Sequence, residues 1–416
     1  MKSLLMVAFH YPPYEGGSGV HRTLKFSRYL PQYGWRPIVL SADARAYPRT
    51  GKEQLCEIPA EAIIRRAFAL DATRHLSIGG RYLRLSALPD QWANWWLCGV
   101  LKGFNLIRKF GPQAIWSTYP IATAHLIALT LHRLTGLPWI ADFRDSMTED
   151  NYPRDPWSRS FYLWIERRVV RHAAQLVFTA ASARRMYMQR YQFLSADRCF
   201  LIPNGYDEED FSAINSFRPM EIADGRPLRL VHAGLIYSDD RDPRAFFRAL
   251  SRLKSVGIIS ARTLIIDLRA SGSEDLYRKL LHEFEISDIV HLLPPLPYKE
   301  ALRDCASADA LLLFQAASCN HQIPAKLYEY LRLRKPILAL TPREGDSGTL
   351  LNKIGGAIIV DINDEEAIYQ AIPSFLDSVK QKTLPVPGLE IVERFSRKYQ
   401  AAQLANCITA VTVKSQ

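Results

Sequence analysis

The sequence predicts an α/β protein made of two doubly wound domains, each with a parallel sheet between two layers of helices. Short apolar runs rich in β-branched residues alternate with amphipathic stretches along the whole chain, and this alternation is typical of parallel sheets. The length of 416 residues provides for two such domains. A polar stretch at 206–227 separates two series of about six runs each.

Twelve short apolar runs predict the strands, because each is bounded by turn residues or by a helical stretch. The first six lie at 3–9, 36–41, 114–118, 138–142, 175–179 and 198–203. The second six lie at 228–233, 263–268, 289–293, 310–314, 336–340 and 357–360. Apolar residues recur at helical spacing between them. The clearest helical stretches are 19–33, 121–135, 157–174, 242–256, 298–307 and 324–334.

The position of the functional site follows from this organisation. We expect a first domain over 1–205 and a second domain that starts at 206, with a cleft between them. In open parallel sheets, ligands bind beyond the carboxyl ends of the strands. The loops that follow strands are therefore the expected binding loops.

The composition excludes several classes of protein. With 48% hydrophobic and 23% charged residues, the chain is neither disordered nor fibrous. Its six cysteines include no Cys-x-x-Cys pair, which indicates reduced thiols and a cytoplasmic protein. The apolar run at 3–9 is too short for a signal peptide, and no run of about 18 apolar residues could span a bilayer.

Positive charge is concentrated in the first half of the chain. Residues 1–205 hold 27 Lys and Arg against 14 Asp and Glu, whereas 206–416 hold 26 against 28. A basic first domain suits an anionic membrane or a phosphate-bearing substrate. Nucleic acid is not expected, because no basic tract with interleaved aromatic residues is present. Residues 92–110 are the best candidate for a helix on the inner face of the plasma membrane, and the alternative is a helix packed on a sheet.

The loop after the first strand contains Gly16, Gly17 and Gly19 at the start of a predicted helix. Glycines let the backbone approach a ligand closely, and the amides of a helix N-terminus bind anions. The pattern differs from the dinucleotide fingerprint, which would need a third glycine where Arg22 stands. We therefore expect no cofactor, and the alternative to a ligand loop is a simple glycine-rich turn.

Three charged residues, Asp142, Arg144 and Asp145, lie at the end of the strand at 138–142. Buried charges at that end of a strand need partners or a ligand. One interpretation places all three in the cleft, where a carboxylate could accept a proton. The other is an Arg–Asp pair that only fixes the loop.

In the second half, Gly234 follows the strand at 228–233, and Arg241 lies just before the next predicted helix, where a guanidinium suits a phosphate. The run Asp240-Arg241-Asp242 also matches an Asp-x-Asp pattern that can hold a divalent metal. Asp before a helix is usually a cap, so we expect no metal site.

The segment 321–331 carries the most specific pattern. Pro324 is a favoured first residue of a helix, so Lys326 lies in the first turn, where a cation is unfavourable unless an anion is bound. Glu329 lies three residues further and faces the same side. Lys326 and the helix amides suit a diphosphate and Glu329 suits neighbouring hydroxyls, as in a ribose diphosphate. The alternative is an exposed Lys–Glu pair.

In this order and spacing, the motifs resemble the family-4 retaining glycosyltransferases of the GT-B fold over essentially the whole chain. The segments that carry the likeness are Gly16-Gly17-Ser18-Gly19, Ser117-Thr118-Tyr119-Pro120, 136–145, Ile202-Pro203-Asn204-Gly205, His232-Ala233-Gly234 and 324–330. The resemblance implies two Rossmann-like domains facing across a cleft. It also implies a second domain over 206–388 and a final segment, 389–416, whose helix crosses back to the first domain.

The resemblance implies roles for single residues as well. Arg241 and Lys326 would hold the diphosphate, Glu329 the ribose, and His321 stands where many members have the first Glu of a Glu-x7-Glu pattern. The implied catalytic residues are Asp142, Arg144, Asp145, Arg241 and Lys326. The other implied donor-binding residues are Gly16, Gly17, Gly19, Gly234, Ile323, Pro324 and Ala325.

The predicted function is transfer of a sugar from a UDP- or GDP-sugar to a saccharide or lipid-linked acceptor, with retention and without a metal. Such a reaction belongs to the synthesis of cell-surface polysaccharides or glycoconjugates. Two alternatives stay open. The departure at His321 suggests a non-enzymatic relic that binds nucleotide-sugars, and a nucleotide-sugar epimerase would share the two-domain architecture.

Overall fold

The computed structural model describes residues 1–150, 152–212, 214, 225–237 and 241–414. The chain divides into two compact units. The first unit comprises Met1–Pro203 and the segment from Arg397 onward, and the second comprises Asn204–Ser396. The sequence analysis expected the boundaries after 205 and 388.

The first unit contains a seven-stranded parallel sheet with the order β3-β2-β1-β4-β5-β6-β7. Its strands are β1 Lys2–Val7, β2 Trp35–Ala42, β3 Ile63–Ala67, β4 Ala114–Thr118, β5 Trp139–Phe143, β6 Gln175–Phe178 and β7 Cys199–Leu201. Its helices before β8 are α1 Gly17–Tyr29, α2 Ala72–His75, α3 Trp95–Phe110, α4 Ala122–Thr135, α5 Pro156–His172 and α6 Ala181–Arg190.

The second unit contains a six-stranded parallel sheet with the order β10-β9-β8-β11-β12-β13. Its strands are β8 Leu228–Ala233, β9 Leu264–Arg269, β10 Val290–Leu293, β11 Ala310–Phe314, β12 Ile337–Leu340 and β13 Ala357–Val360. Its helices are α7 Glu208–Phe211, α8 Arg244–Ser255, α9 Glu274–Glu283, α10 Tyr298–Ser307, α11 Ala325–Leu333, α12 Asp346–Ile354, α13 Glu365–Gln381 and α14 Leu389–Val392. The final helix, α15 Arg397–Lys414, belongs to the first unit.

The prediction of two doubly wound α/β domains is confirmed, and all twelve predicted strands are present. The sequence analysis missed one strand, β3, which lies at the edge of the first sheet and pairs only with β2. Most of its residues are only partly buried, and two of them are Arg65 and Arg66. An edge strand of this kind lacks the continuous apolar run that identifies a central strand.

Both faces of each sheet are covered, which explains why most strand residues are apolar. In β1, Leu5 packs into a core cluster with α3, α4 and α5, whereas its neighbour Leu4 packs into a cluster on the opposite face. Helices α1 and α15 cover that opposite face, where α15 contributes Leu404 and Ile408. The second sheet likewise separates two core clusters.

Helix α3, which lies within the membrane-surface candidate 92–110, packs against α4 and the first sheet. Gly99 and Gly103 bring the two helices close, because a Cβ atom on either glycine would crowd Ile127 or Leu131 of α4. The structure therefore favours the alternative of a packed helix for this segment. In the described part of the chain, no helix is both long enough and apolar enough to cross a membrane.

Candidate functional site

The candidate donor site lies at the point of the second sheet where the strand order reverses. Strands β8 and β11 are neighbours in the sheet, and the chain continues from β8 to one side and from β11 to the other. Ligands of doubly wound folds bind at the carboxyl ends of the strands at such a point. Gly234 directly follows β8, and Lys326 is the second residue of α11, which follows β11.

The Lys326 side chain contacts the buried imidazole of His232. Lys326 Nζ lies 3.2 Å from His232 Nε2, and His232 Nδ1 lies 2.8 Å from the carbonyl oxygen of Leu312 in β11. A carbonyl oxygen only accepts hydrogen bonds, so Nδ1 carries the ring proton and Nε2 accepts from Lys326. Burial, followed by the charge of Lys326, lowers the pKa of His232 well below its usual value. The imidazole is therefore neutral and positions the lysine without a counter-charge.

Gly234 leaves room for this lysine. A Cβ atom at position 234 would lie 2.8 Å from Lys326 Nζ. The backbone also has φ +113° here, a conformation that residues with side chains rarely adopt. The backbone angle therefore favours glycine, and the absence of a side chain lets the Lys326 ammonium lie close to the end of β8.

Arg241 supplies a second positive charge near Lys326. Its guanidinium carbon lies 5.3 Å from the centre of the Tyr237 ring. Its Nε is buried and has no hydrogen-bond partner among the described residues. An unpaired buried donor costs free energy, and the addition of a negatively charged acceptor removes that cost.

The electrostatics of the site favour an anion. Burial, followed by repulsion from Arg241, lowers the pKa of Lys326 from 10.5 to about 7, although Glu329 acts in the opposite direction. Lys326 lies in the first turn of α11, where the helix dipole is already positive, and the charge of Arg241 adds to it. An anion bound there would be stabilised by both side chains and by the helix amides.

Glu329, one turn after Lys326, is held by a tyrosine. The hydroxyl of Tyr298, the first residue of α10, donates to Glu329 Oε1 over 2.8 Å. The predicted juxtaposition of a cation and a carboxylate on one face of α11 is thus present.

The loop between β11 and α11 carries the other predicted donor residues. Gln315 ties this loop to the end of β11, because its Nε2 donates to the carbonyl oxygens of Cys319 and Gln322 over 3.0 and 3.2 Å. His321 is half-buried in the loop, and Ile323 packs against the core of the second unit. Pro324 caps α11, which begins at Ala325 rather than at Pro324 as expected. Lys326 still lies in the first turn.

In the first unit, the loop after β1 meets the loop after β5. The Arg144 side chain fills the space next to Gly19, and a Cβ atom on Gly19 would overlap its Nη1 and lie 3.0 Å from His10 Nδ1. Arg144 Nη2 donates to Asp145 Oδ2 over 3.1 Å. Burial, followed by the charge of Arg144, lowers the pKa of His10 to about 3, so this imidazole is neutral at pH 7. The structure brings Gly19, Arg144 and Asp145 together.

Gly16 and Gly17 mark the start of α1. Gly16 has φ +133° and precedes the helix, which begins at Gly17. The carbons and hydroxyl of the Tyr14 ring lie 3.6 to 3.8 Å from a Cβ atom built on Gly16. The glycines therefore stand at a helix N-terminus, as predicted.

Both carboxylate oxygens of Asp142 accept hydrogen bonds from residues of the first unit. Its two carboxylate oxygens accept from Arg22 Nη2 and Nε over 2.7 and 2.9 Å, and Thr118 Oγ1 donates to it as well. Arg22 also donates to the carbonyl oxygens of Ile202 and Pro203. Arg22 and Asp142 are both buried. These contacts favour the structural interpretation of Asp142, with Arg22 rather than Arg144 as its partner.

The Asp-x-Asp pattern is only partly within the described chain. Asp240 lies outside the described residues. Asp242 accepts a hydrogen bond from the backbone N–H of Arg244 over 3.0 Å, which is the expected contact of an aspartate before a helix. Elsewhere in the described ranges, no group of three His, Cys, Asp or Glu side chains is arranged to hold a metal.

Three residues near these sites were not among the predicted site residues: His10, His232 and Tyr298. Each lies at a position in the sequence that could have marked it as a candidate. His10 lies in the loop after β1, and Tyr298 begins α10 directly after the loop that follows β10. His232 is one of two polar residues in β8, the other being Arg229. Their contacts with Arg144, Lys326 and Glu329 depend on tertiary structure.

Comparison with protein families gives a match in the first half of the chain. Residues 16–205 match the family model described as Glycosyl transferase 4-like domain. This match identifies a glycosyltransferase 4-like domain in the first half of the chain. None of the curated proteins matches the chain.

Several solved structures share the fold of this glycosyltransferase over nearly the whole chain. Sucrose-phosphate synthase from Thermosynechococcus elongatus is 14% identical with a TM-score of 0.67, and the alignment covers 100% of each chain. HepE from Anabaena, in complex with UDP, is 12% identical with a TM-score of 0.63 and coverage of 99% and 100%. The lipopolysaccharide outer core galactosyltransferase WaaB, in its apo form, is 12% identical with a TM-score of 0.59 and coverage of 97% and 99%. These likenesses confirm the predicted GT-B fold.

The Lys326→Met variant tests whether the lysine is kept for a ligand. Because the pKa of Lys326 is lowered to about 7 on folding, the unfolded chain binds more protons above that pH, and the stability of the wild type rises as the pH passes from about 7 to about 10. We expect the variant to melt at a higher temperature than the wild type at pH 6, and this gain to shrink by pH 9. Thermal unfolding at both pH values measures it. A variant less stable at pH 6 would show that the ammonium supports the fold instead.

The Asp142→Asn variant tests the structural interpretation of the Arg22–Asp142 pair. It leaves the buried Arg22 guanidinium without a counter-charge, which typically costs about 3–5 kcal/mol. The control is Asp145→Asn, whose partly exposed pair with Arg144 is worth about 1 kcal/mol or less. We expect chemical denaturation to show a large loss for the first variant and a small loss for the second. Equal losses would contradict the assignment.

Proposed function

We propose that this glycosyltransferase uses a nucleotide-sugar donor and binds the donor diphosphate at the start of α11. The supporting observation is the pair of basic side chains, Lys326 and Arg241, beside a helix N-terminus and at the reversal of strand order. A diphosphate offers these groups several charged oxygens. Glu329 then binds the ribose hydroxyls, and Gly234 lets the donor approach the end of β8.

The structural neighbours favour UDP as the first nucleotide to test. The HepE structures were obtained with UDP, with UDP and glucose, and with UDP-glucose. Those ligands are properties of HepE, and the likeness at this identity concerns the fold. A UDP-sugar is therefore our first candidate donor for this chain, and a GDP-sugar is the second.

The proposed chemistry requires stabilisation of a leaving diphosphate. When the bond between the anomeric carbon and the phosphate oxygen breaks, its electron pair stays on that oxygen, and the diphosphate gains negative charge. Lys326, Arg241 and the α11 amides interact more strongly with this increased charge than with the bound donor, and therefore lower the barrier. The acceptor oxygen bonds to the anomeric carbon, and its proton passes to the departing diphosphate oxygen. We propose that the configuration is retained and that no metal is required.

We propose that the first unit contributes the acceptor side, with a saccharide or a lipid-linked saccharide as acceptor. Arg144 and Asp145 lie beside Gly19 at the carboxyl ends of the strands, where ligands of this fold class bind. The neutral His10 imidazole offers a hydrogen bond without a charge. WaaB is described as a lipopolysaccharide outer core galactosyltransferase, and this supports an acceptor of that class, from cell-surface glycoconjugate synthesis.

Lys326→Ala tests the catalytic proposal. Removal of one group that stabilises developing charge typically lowers turnover by about a hundredfold or more. We expect such a loss in a transfer assay with UDP-sugars and saccharide acceptors, in which the anomeric configuration of the product is determined by NMR. The control is Lys335→Ala, a lysine that is also partly buried but precedes β12, at the other end of the sheet. Normal turnover of Lys326→Ala would contradict the proposal. Donor binding without transfer to any acceptor would favour a binding protein.

Proton uptake tests the diphosphate site independently of any acceptor. If UDP binds next to Lys326, its negative charge raises the lowered pKa of that lysine. We expect binding at pH 8 to take up protons, and the affinity for UDP to fall as the pH rises through 7 to 9. Titration calorimetry in buffers of different ionisation enthalpy measures both effects. If UDP binding to the Lys326→Met variant takes up as many protons as binding to the wild type, then Lys326 is not the group that is protonated.

A further inference from the structure

A loop of the first unit exposes large apolar side chains to solvent. This segment, residues 76–85, is named the apolar loop here. Ile78, Leu83 and Leu85 are 88%, 80% and 75% exposed. Gly79 and Gly80 both have positive φ, and the backbone N–H groups of Ile78 and Arg81 donate to each other's carbonyl oxygens over 2.8 and 3.1 Å. This tight turn holds Ile78 and its neighbours at the surface.

Helix α5 exposes aromatic rings along one face. Trp157, Phe161 and Trp164 are all exposed, and their spacing of four and three residues places them on one side of the helix. The opposite side, with Ile165 and Val169, packs into the core of the first unit. We call the exposed side the α5 face. Two exposed tryptophans next to a phenylalanine form an unusual surface for a protein that is fully surrounded by water.

The apolar loop and the α5 face form one surface. Arg84 of the loop hydrogen-bonds Asp155, which caps the start of α5. The guanidinium carbon of Arg84 lies 5.6 Å from the centre of the Trp157 ring. These two contacts join the turn to the helix.

The second half of the α5 face is basic. Trp164 and three arginines, Arg167, Arg168 and Arg171, line a recess of about 310 Å³. The helix contains one acidic residue, Glu166, which is buried and bonded to Thr148, Tyr187, Arg190 and Tyr191. The exposed side of α5 is therefore apolar at its start and positively charged at its end.

We propose that the apolar loop and the α5 face dock the protein on an anionic lipid bilayer. Aromatic and aliphatic side chains insert at the boundary of headgroups and acyl chains, and arginines bind headgroup phosphates. The charge is complementary, since the segment 72–89 contains no Asp or Glu and includes Arg74, Arg81 and Arg84, and Asp155 is paired with Arg84. The surface differs from the segment 92–110 of the sequence analysis.

The first experiment tests the arginines, and it measures binding of the full chain to lipid vesicles. Phosphatidylcholine vesicles with and without phosphatidylglycerol are the probes, and bound protein is measured by flotation. The variant is Arg167→Gln with Arg168→Gln and Arg171→Gln. The control carries Arg262→Gln, Lys279→Gln and Lys353→Gln, three exposed basic residues of the second unit. We expect the variant to lose about tenfold or more in affinity for anionic vesicles, and the control to lose little.

The second experiment tests the apolar loop with a variant in which Ile78, Leu83 and Leu85 are replaced by serine. The control carries Val256→Ser and Ile258→Ser, at two exposed apolar residues of the second unit. We expect the loop variant to lose vesicle binding that remains at high salt, and the control to keep it. Unchanged melting temperatures show that the variants are folded.

Three outcomes would overturn the docking proposal. They are equal binding to neutral and anionic vesicles, equal losses in variants and controls, and a loss of self-association in place of vesicle binding, which would assign the surface to a second copy of the chain. The proposal does not depend on the sugar donor. UDP binding is measured on the same variants, so a failure at α11 and a failure at the membrane surface are distinguishable.

Discussion

The contact between Lys326 and His232 is the constraint on which the proposed donor site depends. A lysine at the start of a helix is unfavourable, and this one is held there by a neutral ring whose other nitrogen is fixed on β11. The Glu329 carboxylate offsets only part of the cost of burying the ammonium, because the pKa of Lys326 is still lowered to about 7. A bound anion would offset more of that cost, which is why we propose a phosphate-bearing ligand here. Gly234 suits the same contact, because a Cβ atom at this position would lie 2.8 Å from Lys326 Nζ.

Local patterns were sufficient to predict the arrangement of Lys326 and Glu329 on α11. Pro324 indicated where the helix starts, and the spacing of Lys326 and Glu329 placed both on one face before any coordinates were considered. The apolar runs predicted both sheets for a similar reason, because a strand that is covered on both faces is largely apolar. These features are encoded within a few residues, and they were therefore readable from one sequence.

Features that join distant parts of the chain could not be predicted in this way. The charges after β5 were visible, but the partner of Asp142 is Arg22, which lies 120 residues away and follows no local pattern. The hydrogen bond from Tyr298 to Glu329 likewise depends on how α10 packs beside α11. The spacing of α5 predicted a helix, but only the structure shows that its tryptophans are on the outer side. The periodicity of a sequence predicts that a segment is a helix or a strand, but it does not predict which residues pack against that segment.

The position of α15 has a consequence for biosynthesis. This helix covers one face of the first sheet and packs on α1, although it is encoded after the entire second unit. A ribosome therefore releases the second unit before the first one has its last layer. During that interval Leu24 and Phe26 of α1 lack their partners Leu404 and Ile408, and the nascent chain exposes an apolar surface that chaperones recognise. The amino-terminal unit is thus the first to emerge and the last to be completed.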